Sequence, residues 1–479
     1  MVDLDPLFYP RGVAIIGVSD NPIKGATAHL YALKKVNYQG PIYCISKTRK
    51  EVMFGEKTFP SILDVPDPID YVIIGVPNES VPKVLNECSQ KGVKFCTIFT
   101  AGFSELGTEE GIKLERAMLD NVTNGLRLIG PNCLGPYCQE SRLTNTEIME
   151  IIQSGEVAFL SQSGGHTGSF FQIGEHRGFP FNKVVSIGNQ IDLTIQDFIE
   201  YFSKDEKIKV ISIYLEKIKK LNEFRRIIET VSRKKPLIFW KGGRTKAGIK
   251  AAASHTGAIS SSYDIFKSAI NQMGGIIAES IEELADLTLG SLYLSKKHLG
   301  NNIGIVVPGG GSAVEMTDEA AKYGFKLPEL SQRTQDNIQS FIQKINTNVK
   351  NPIDMGVLGW IPINYGKTIA FMAEDPNIDI ITFYFMIERL PKFIERMQDK
   401  HLTLSFIRAI KKATKNSDKP FICILPNFVV TIPEDIVYRK EFTEGLISIG
   451  IPYFSSMERA MNVVSKLRKY QDYVKIQKK

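Results

Sequence analysis

The sequence is poor in the residues that build disulfide scaffolds and zinc centres. Its six cysteines and six histidines are scattered over 479 residues, and no two cysteines have Cys-x-x-Cys spacing. Few and irregularly spaced cysteines argue against both a disulfide framework and a structural zinc site. We therefore expect no resident metal and a reducing, cytoplasmic compartment.

Long apolar runs are also absent. The nearest candidates, residues 378–387 and 421–432, are shorter than the roughly 18–20 residues that a membrane-spanning helix needs. The start of the chain is acidic, with Asp3 and Asp5, and it lacks the basic and then apolar pattern of a secretory signal. We expect neither membrane association nor secretion.

Charge of one sign is not in large excess. The formal net charge of +7 is too dilute to indicate a nucleic-acid partner. The excess is local, because residues 216–250 carry twelve basic and three acidic residues, and residues 455–479 carry seven and two. The first stretch suits bound phosphate groups or an acidic partner surface, although solvated helix faces explain much of it. The tail has no assigned role.

What is present is an ordinary globular composition, with 43% hydrophobic and 23% charged residues, and a length that corresponds to about three domains. Short apolar runs alternate with helical patterns, which indicates parallel sheets of βαβ units. Glycine-rich loops follow many of the runs. We predict three α/β units over residues 1–145, 146–297 and 298–479, with a linker near residues 298–302.

The first candidate site follows the first predicted strand, since ligands of open parallel sheets bind where strands end. Gly17 and Ser19 begin this loop, and Lys24 and Gly25 lie farther along it. The spacing is not Gly-x-Gly-x-x-Gly, and the second strand is followed by Lys47 where a nicotinamide site would have an acid. A lysine favours a phosphate, such as the 3′-phosphate of coenzyme A. An ordinary strand–turn–helix is the alternative interpretation.

The second candidate site is the loop after the strand at 157–160. Ser161, Ser163 and Gly164 place two hydroxyls and flexible backbone between a strand and a helix. Backbone N–H groups at a helix N-terminus bind anions, and hydroxyls can donate to the same anion. Helix capping by serine is the alternative, but capping needs only one of the two serines.

The third candidate is His255, which lies among alanine, serine, threonine and glycine residues and not on an apolar helix face. A neutral imidazole can attack a phosphoryl group when an acceptor holds its other nitrogen. Glu216, at the end of the apolar run 210–215, is a candidate acceptor. The alternatives are a structural histidine and a Glu216 that pairs with a nearby lysine.

The chain resembles the α subunits of the NDP-forming (ADP-forming) acyl-CoA synthetases, relatives of succinyl-CoA synthetase. The resemblance covers nearly the whole sequence and rests on motifs in order along it, at residues 129–135, 160–164, 186–192, 214–216, 253–258 and 351–354. It implies a Rossmann-like CoA-binding domain followed by two flavodoxin-like doubly wound domains. The second domain would carry a phosphohistidine loop.

The resemblance implies a reaction that interconverts acyl-CoA, ADP and phosphate with a carboxylic acid, CoA and ATP. His255 would carry the phosphoryl group after acyl phosphate forms, Glu216 would orient it, and Ser161, Ser163 and Gly164 would hold phosphate. CoA would bind through Gly17, Ser19, Lys24, Gly25, Lys47, Val76, Pro77, Thr100 and Ala101, with Asn132 near the thiol end.

The resemblance also implies a partner. No ATP-grasp module follows the third unit in this sequence, so a separate β subunit would bind ADP or ATP with Mg, in an α2β2 heterotetramer.

The alternative is a catalytically inactive CoA-binding regulatory or scaffold protein of the same fold, and a nicotinamide dehydrogenase is disfavoured by the first loop. The sequence does not specify the carboxylic acid, the direction, or ADP against GDP.

Three loops depart from the family pattern. Ile45 and Ser46 precede Lys47 where the family has asparagine and proline, and Ser312 ends a triple-glycine loop where the family has Gly-Gly-Pro-Gly. His166 stands where leucine is common. We expect His166 to be a solvent-facing helix residue, with a second phosphate contact as the alternative.

Overall fold

The structure is a computed structural model that describes residues 2–21, 26–47, 52–147, 149, 155–250, 262–343, 345–427 and 433–478. The chain divides into two units, Met1–Thr288 and Leu289–Lys479. The first unit holds two sheets and the second holds one. None of the helices within these ranges has the length and apolar character needed to cross a membrane.

The first sheet has seven strands in the order β3-β4-β2-β1-β5-β6-β7. They are β1 (Val13–Ile16), β2 (Ile42–Ile45), β3 (Val52–Met53), β4 (Glu56–Phe59), β5 (Tyr71–Ile74), β6 (Phe95–Ile98) and β7 (Arg127–Ile129). The helices are α1 (Asp5–Phe8), α2 (Thr27–Lys35), α3 (Val81–Lys91) and α4 (Glu109–Asp120). All ladders are parallel except the β3–β4 pair.

The second sheet has six strands in the order β13-β12-β11-β9-β10-β8. They are β8 (Gly135–Cys138), β9 (Val157–Ser161), β10 (Phe181–Ser186), β11 (Val210–Leu215), β12 (Leu237–Lys241) and β13 (Ile276–Ala278). The helices include α5 (Gly164–Arg177), α6 (Ile195–Lys204), α7 (Leu221–Val231), α8 (Tyr263–Gln272) and α9 (Ile281–Leu294).

The expected parallel sheets are confirmed except at one edge of the first sheet, where β3 and β4 are antiparallel, and at one edge of the second sheet. β8 runs antiparallel to β10, with Gly135 opposite Ser186 and Cys138 opposite Lys183. The strand lies inside the range predicted for the first domain, yet it belongs to the second sheet. A four-residue strand that begins with glycine and proline has too short a pattern to reveal which sheet it joins.

The third sheet has the order β15-β14-β16-β17-β18, and all its ladders are parallel. The strands are β14 (Ile303–Val307), β15 (Ile353–Asp354), β16 (Ile380–Tyr384), β17 (Phe421–Ile424) and β18 (Tyr453–Phe454). The helices include α10 (Gly310–Lys322), α11 (Gln332–Gln339), α12 (Pro362–Glu374), α13 (Leu390–Met397), α14 (Leu402–Thr414), α15 (Pro433–Ser448) and α16 (Met457–Lys478).

The central strands are buried on both faces, which explains why they read as continuous apolar runs. In β1 the side chains of Val13 and Ile15 pack in one core, and those of Ala14 and Ile16 pack in another. The helices bury one stripe each, and α7 buries its residues at helical spacing, Phe224, Ile227, Ile228 and Val231. Each fully buried large apolar side chain contributes about 1.5–3 kcal/mol. This packing fixes the strand ends and hence the loops that follow them.

Candidate functional site

The loops at the carboxyl edge of the first sheet begin with a close contact between two strand ends. Gly17 follows β1 with φ +102, and a Cβ there would lie 2.6 Å from the carbonyl oxygen of Gly75. Only glycine fits this approach, because both the backbone angle and the space exclude a side chain. Beyond it, the Ser19 N–H donates to Thr27 Oγ1 at 3.0 Å, which ties the loop to the start of α2.

Three further loops meet beside this contact. The Thr100 hydroxyl donates to the Val76 carbonyl at 2.6 Å, and the Asn132 N–H donates to the Thr100 carbonyl at 3.1 Å. Asn132 has φ +57, a left-handed conformation that asparagine tolerates better than most residues. The structure thus brings Gly17, Val76, Thr100 and Asn132 to one edge.

Other predicted CoA residues are less well connected. Lys47 is exposed beyond β2, and Pro77 and Ala101 are exposed on their loops. Lys24 and Gly25 lie outside the described residues. The neighbouring Cys133 is not a candidate nucleophile, because burial raises the pKa of its thiol to about 12.

The Asn132 loop also touches the second sheet. The Leu134 N–H donates to Ser186 Oγ at 3.1 Å, and the Asn189 N–H donates to the Pro131 carbonyl at 3.0 Å. A Cβ on Gly164 would lie 3.3 Å from Leu134 Cγ, so the first residue of α5 packs directly against this loop. The edge that holds Asn132 therefore adjoins the loop of Ser161, Gln162 and Ser163, which we call the phosphate loop after its predicted ligand.

The two serines of the phosphate loop have different partners. Ser161 is buried, and its Oγ donates to the Ser163 carbonyl at 2.8 Å and accepts from the Ser163 N–H at 3.1 Å. Ser163 is the N-cap of α5, since its Oγ accepts from the His166 N–H at 3.3 Å. The capping interpretation holds for Ser163, while Ser161 shapes the turn. First-turn N–H groups have no partner inside a helix, so this end of α5 suits an anion.

Glu216 follows β11 beside the phosphate loop. Its Oε1 accepts from the Tyr214 hydroxyl at 3.0 Å. Burial and the nearby Glu216 raise the pKa of Tyr214 well above its usual range, so this hydroxyl remains a donor at neutral pH. The alternative interpretation was that Glu216 pairs with a nearby lysine. Within the described residues its carboxylate forms no ion pair with a lysine.

Sequence reasoning did not identify two residues that hold the backbone of Glu216. Gln162 Oε1 accepts from the Glu216 N–H and, at 2.9 Å, from the Lys217 N–H. Lys241 is buried, and its Nζ donates at 2.7 Å to the carbonyls of both Glu216 and Gly242. Burial lowers the pKa of Lys241. A polar residue between the two serines and a lysine ending an apolar strand were the available signals.

The expectation that His166 faces solvent is wrong. The ring is half-buried and lies 4.5 Å from the ring of Tyr214 and 4.6 Å from that of Trp240, between ring centroids. Burial lowers the pKa of His166, against a smaller opposing effect of Glu216. A helical side chain leans toward the helix N-terminus, and here it leans onto the aromatic ends of two neighbouring strands.

His255 lies outside the described residues, but the chain on both sides of it is described. Glu279 accepts from Arg244 Nη1 at 2.8 Å, from the Tyr263 hydroxyl at 2.6 Å and from Lys267 Nζ at 2.7 Å. One carboxylate thus binds the segments that precede and follow residues 251–261.

Within the described residues, no cluster of three or more histidine, cysteine or acidic side chains could hold a metal ion.

Comparison with known proteins adds relatives to this geometry. Residues 11–139 match the CoA binding domain model, and residues 154–289 match the succinyl-CoA ligase like flavodoxin domain model. The chain is 32% identical to the α subunit of ADP-forming acetate–CoA ligase I from Pyrococcus furiosus, with 98% of each chain covered. It is also 32% identical to ADP-forming acetate–CoA ligase I from Archaeoglobus fulgidus over 98% of its own length, but it spans only 64% of that protein.

A solved structure agrees over the full length. The dinucleotide forming acetyl-coenzyme A synthetase 1 of Ca. Korarchaeum cryptofilum, in complex with phosphate and ADP, superposes with a TM-score of 0.84. Its sequence is 30% identical, and 99% of each chain is covered. These matches confirm the α/β fold class and the resemblance inferred from the motifs. The chain belongs to the ADP-forming acyl-CoA synthetases, a family of acid–thiol ligases, and corresponds to their α subunits.

Proposed function

We propose that this chain interconverts acyl-CoA, phosphate and ADP with a carboxylic acid, CoA and ATP, together with a nucleotide-binding partner. The observation that carries the proposal is the contact between two edges, since the Asn132 loop of the first sheet packs on the first turn of α5 through Leu134 and Gly164. A thioester bound at the first edge would reach a phosphate bound at the second.

The first chemical step is proposed to occur at this junction. A phosphate oxygen attacks the thioester carbonyl, the carbon–sulfur bond breaks, and CoA leaves as the thiolate while acyl phosphate forms. The N-terminal N–H groups of α5 stabilise the phosphate charge, because the helix N-terminus carries a partial positive charge. The Ser163 hydroxyl can donate a hydrogen bond to the phosphate, since its oxygen acts only as an acceptor in capping the His166 N–H.

The second and third steps transfer the phosphoryl group. An imidazole nitrogen of His255 attacks the phosphorus of acyl phosphate, and the carboxylate leaves. An oxygen of the ADP β-phosphate then attacks the phosphohistidine, which regenerates the imidazole and forms ATP. Glu216 would orient the imidazole by accepting from its other nitrogen, as an acceptor must for a neutral histidine nucleophile.

CoA is proposed to bind along the first edge. Gly17, Val76 and Thr100 would line its path, with Asn132 nearest the thiol, and Ser19, Lys24, Gly25, Lys47, Pro77 and Ala101 would contact its phosphates and adenine. The close approach at Gly17 leaves the first loop without a side chain at its turn. Backbone can therefore approach a pyrophosphate closely there.

The partner is proposed to be an ATP-grasp β subunit that binds ADP or ATP with Mg, in an α2β2 assembly. The α-subunit name of the Pyrococcus furiosus relative supports a second subunit. Magnesium would neutralise the phosphate charge that develops during transfer to ADP. The substrate is proposed to be a small carboxylic acid or its acyl-CoA.

Phosphoenzyme formation tests the proposal. The chain is mixed with its ATP-grasp partner, Mg²⁺ and ATP labelled in the γ-phosphate, and protein-bound label is measured. We expect label that is labile in acid and stable in base, as phosphohistidine is, and its discharge on addition of acid substrate and CoA.

His255→Ala should abolish this label, and His176→Ala, a histidine in the last turn of α5, should leave it unchanged. Label that persists in His255→Ala would remove His255 from the mechanism. A wild-type chain that never acquires label, yet binds CoA, would favour the inactive scaffold.

A further inference from the structure

The hydroxyl of Tyr214 is set to orient the carboxylate of Glu216. It donates to Oε1 at 3.0 Å, and Oε2 has no hydrogen-bond partner among the described residues. A carboxylate held through one oxygen presents the other in a fixed direction. Because Tyr214 is the residue before the last of β11, its backbone is fixed by two parallel ladders, with Ser161 and Trp240 opposite it.

The ring of Tyr214 is held from two sides. His166 and Trp240 each lie within 4.6 Å of it between centroids, and they also contact each other at 4.6 Å. Aromatic contacts of this geometry add about 0.5–1.5 kcal/mol beyond area burial. Gly242 completes the enclosure, because a Cβ there would lie 2.6 Å from the Tyr214 hydroxyl oxygen. The hydroxyl therefore has little freedom to turn away.

The backbone of Glu216 is held as well. Its N–H donates to Gln162 of the phosphate loop, and its carbonyl accepts from the buried Lys241 ammonium at 2.7 Å. Gln162 lies between the two serines of the phosphate loop, so the same side chain couples the position of Glu216 to that loop. Main chain and carboxylate are fixed by three different neighbours.

We propose that Tyr214 is a positioning residue for the reaction, and that the ring cluster of His166, Tyr214 and Trp240 presets the carboxylate of Glu216 for the imidazole that carries the phosphoryl group. The inference deepens the proposed function and rests on the role given there to Glu216. His166 and Trp240 act through Tyr214, and neither is required to touch substrate.

A double-mutant cycle tests the proposal in the complete enzyme, the chain with its ATP-grasp partner. Tyr214→Phe keeps the ring and removes only the hydroxyl, and loss of a hydrogen bond to a charged group should lower kcat about 10-fold. The KM for acyl-CoA should stay within about 2-fold, because the lost hydrogen bond is not one that binds acyl-CoA equally in the ground state and the transition state. In Glu216→Ala, which removes the acceptor of the Tyr214 hydroxyl, adding Tyr214→Phe should cause no further loss, since coupled residues are non-additive.

Tyr201→Phe is the matched control, since it removes a hydroxyl that donates to Asp5 at 2.7 Å on the surface. It should leave kcat unchanged in both backgrounds. If Tyr214→Phe lowers kcat equally in the wild type and in Glu216→Ala, or not at all, Tyr214 does not act through Glu216. A wild-type complex that forms no labelled phosphoenzyme would overturn the proposed function itself, so the two failures are distinguishable.

Discussion

At the scale of single residues, the phosphate loop shows how one motif serves two purposes. The sequence offers two serines and suggests that the second is in excess of what capping needs. In the structure Ser163 caps α5, and Ser161 closes the turn within the loop. The two hydroxyls therefore differ in what they can still bind. The Ser163 hydroxyl can donate to a ligand, whereas the Ser161 hydroxyl already donates to the Ser163 carbonyl.

Substitutions at Ser163 should separate helix stability from phosphate binding. Ser163→Ala should destabilise the protein by about 1 kcal/mol through loss of the cap. Ser163→Asp should retain the cap and the melting temperature, but its charge should raise the apparent KM for phosphate at least about 10-fold, in keeping with like-charge repulsion. Thermal unfolding and the phosphate dependence of ATP formation measure the two effects. A Ser163→Asp variant with wild-type KM for phosphate would exclude phosphate from this end of α5.

Residues inside ordered motifs were the ones that sequence analysis could identify. Glu216 follows a buried strand, Ser163 caps a helix and Asn132 lies in the loop between β7 and β8, and these loops do lie at sheet edges. His166 could not be placed, because its environment depends on Tyr214 and Trp240, which lie far away in the sequence. The period of a helix tells which residues share a face, but not which strand ends that face meets.

At the scale of elements, several basic residues between positions 216 and 250 have structural partners. Lys219, Lys235 and Lys241 each donate to backbone carbonyls, of Gln190, of Phe202 and of Glu216 and Gly242 respectively. Arg225 pairs with Glu229, and Arg244 pairs with Glu279. Much of the charge therefore fastens loops and helices together, and a sequence count cannot distinguish such lysines from a binding surface.

The Glu279 cluster should control the approach of the segment that contains His255. Arg244 precedes that segment, Tyr263 and Lys267 follow it, and all three donate to one carboxylate. Glu279→Gln keeps the shape and removes the charge, so we expect lower phosphoenzyme yield. The matched control is Glu229→Gln, which breaks an exposed pair with Arg225 within α7. Equal yields in the two variants would show that the cluster does not position the segment.

The same cluster makes a prediction about acid stability. Burial raises the pKa of Glu279, but the hydrogen bonds from Lys267, Tyr263 and Arg244 outweigh it and hold the pKa at about 2. A folded-state pKa below the unfolded value of about 4.3 gives stability that is present above that pH and is lost as the pH falls toward 2. The difference in unfolding midpoint between wild type and Glu279→Gln should thus be constant near neutral pH and shrink between about pH 4 and pH 2.5. A difference that grows on acidification would contradict the assignment.

The sheets themselves were largely predictable, and the exceptions have a physical cause. The long buried strands of all three sheets read as apolar runs, because both their faces are covered. Six short strands were missed, since two to four residues show no period: β3, β4, β8, β13, β15 and β18. Their places are set by neighbours in the sheet and not by their own composition.

At the scale of the whole molecule, the chain has two adjoining loop edges at which we propose that CoA and phosphate bind, and its family supplies the expectation of a second subunit. The Archaeoglobus fulgidus relative, of which this chain spans 64%, is longer, whereas the Pyrococcus furiosus α subunit has 98% of its length matched. The same α architecture therefore occurs both within a longer chain and as a separate subunit. For this chain, the boundaries predicted at 145 and 297 and the roles of the third sheet and of the basic tail stay predictions.

ATP formation should therefore require two proteins. This chain alone, with acyl-CoA, phosphate, ADP and Mg²⁺, should form no ATP, because the phosphoryl group on His255 would have no bound nucleotide to accept it. Titration with the ATP-grasp partner should raise the rate until one partner is present per chain, as a luciferase assay would record. Light scattering of the mixture should give the mass of an α2β2 assembly. ATP formed at the full rate by this chain alone would place the nucleotide site within it and remove the need for the partner.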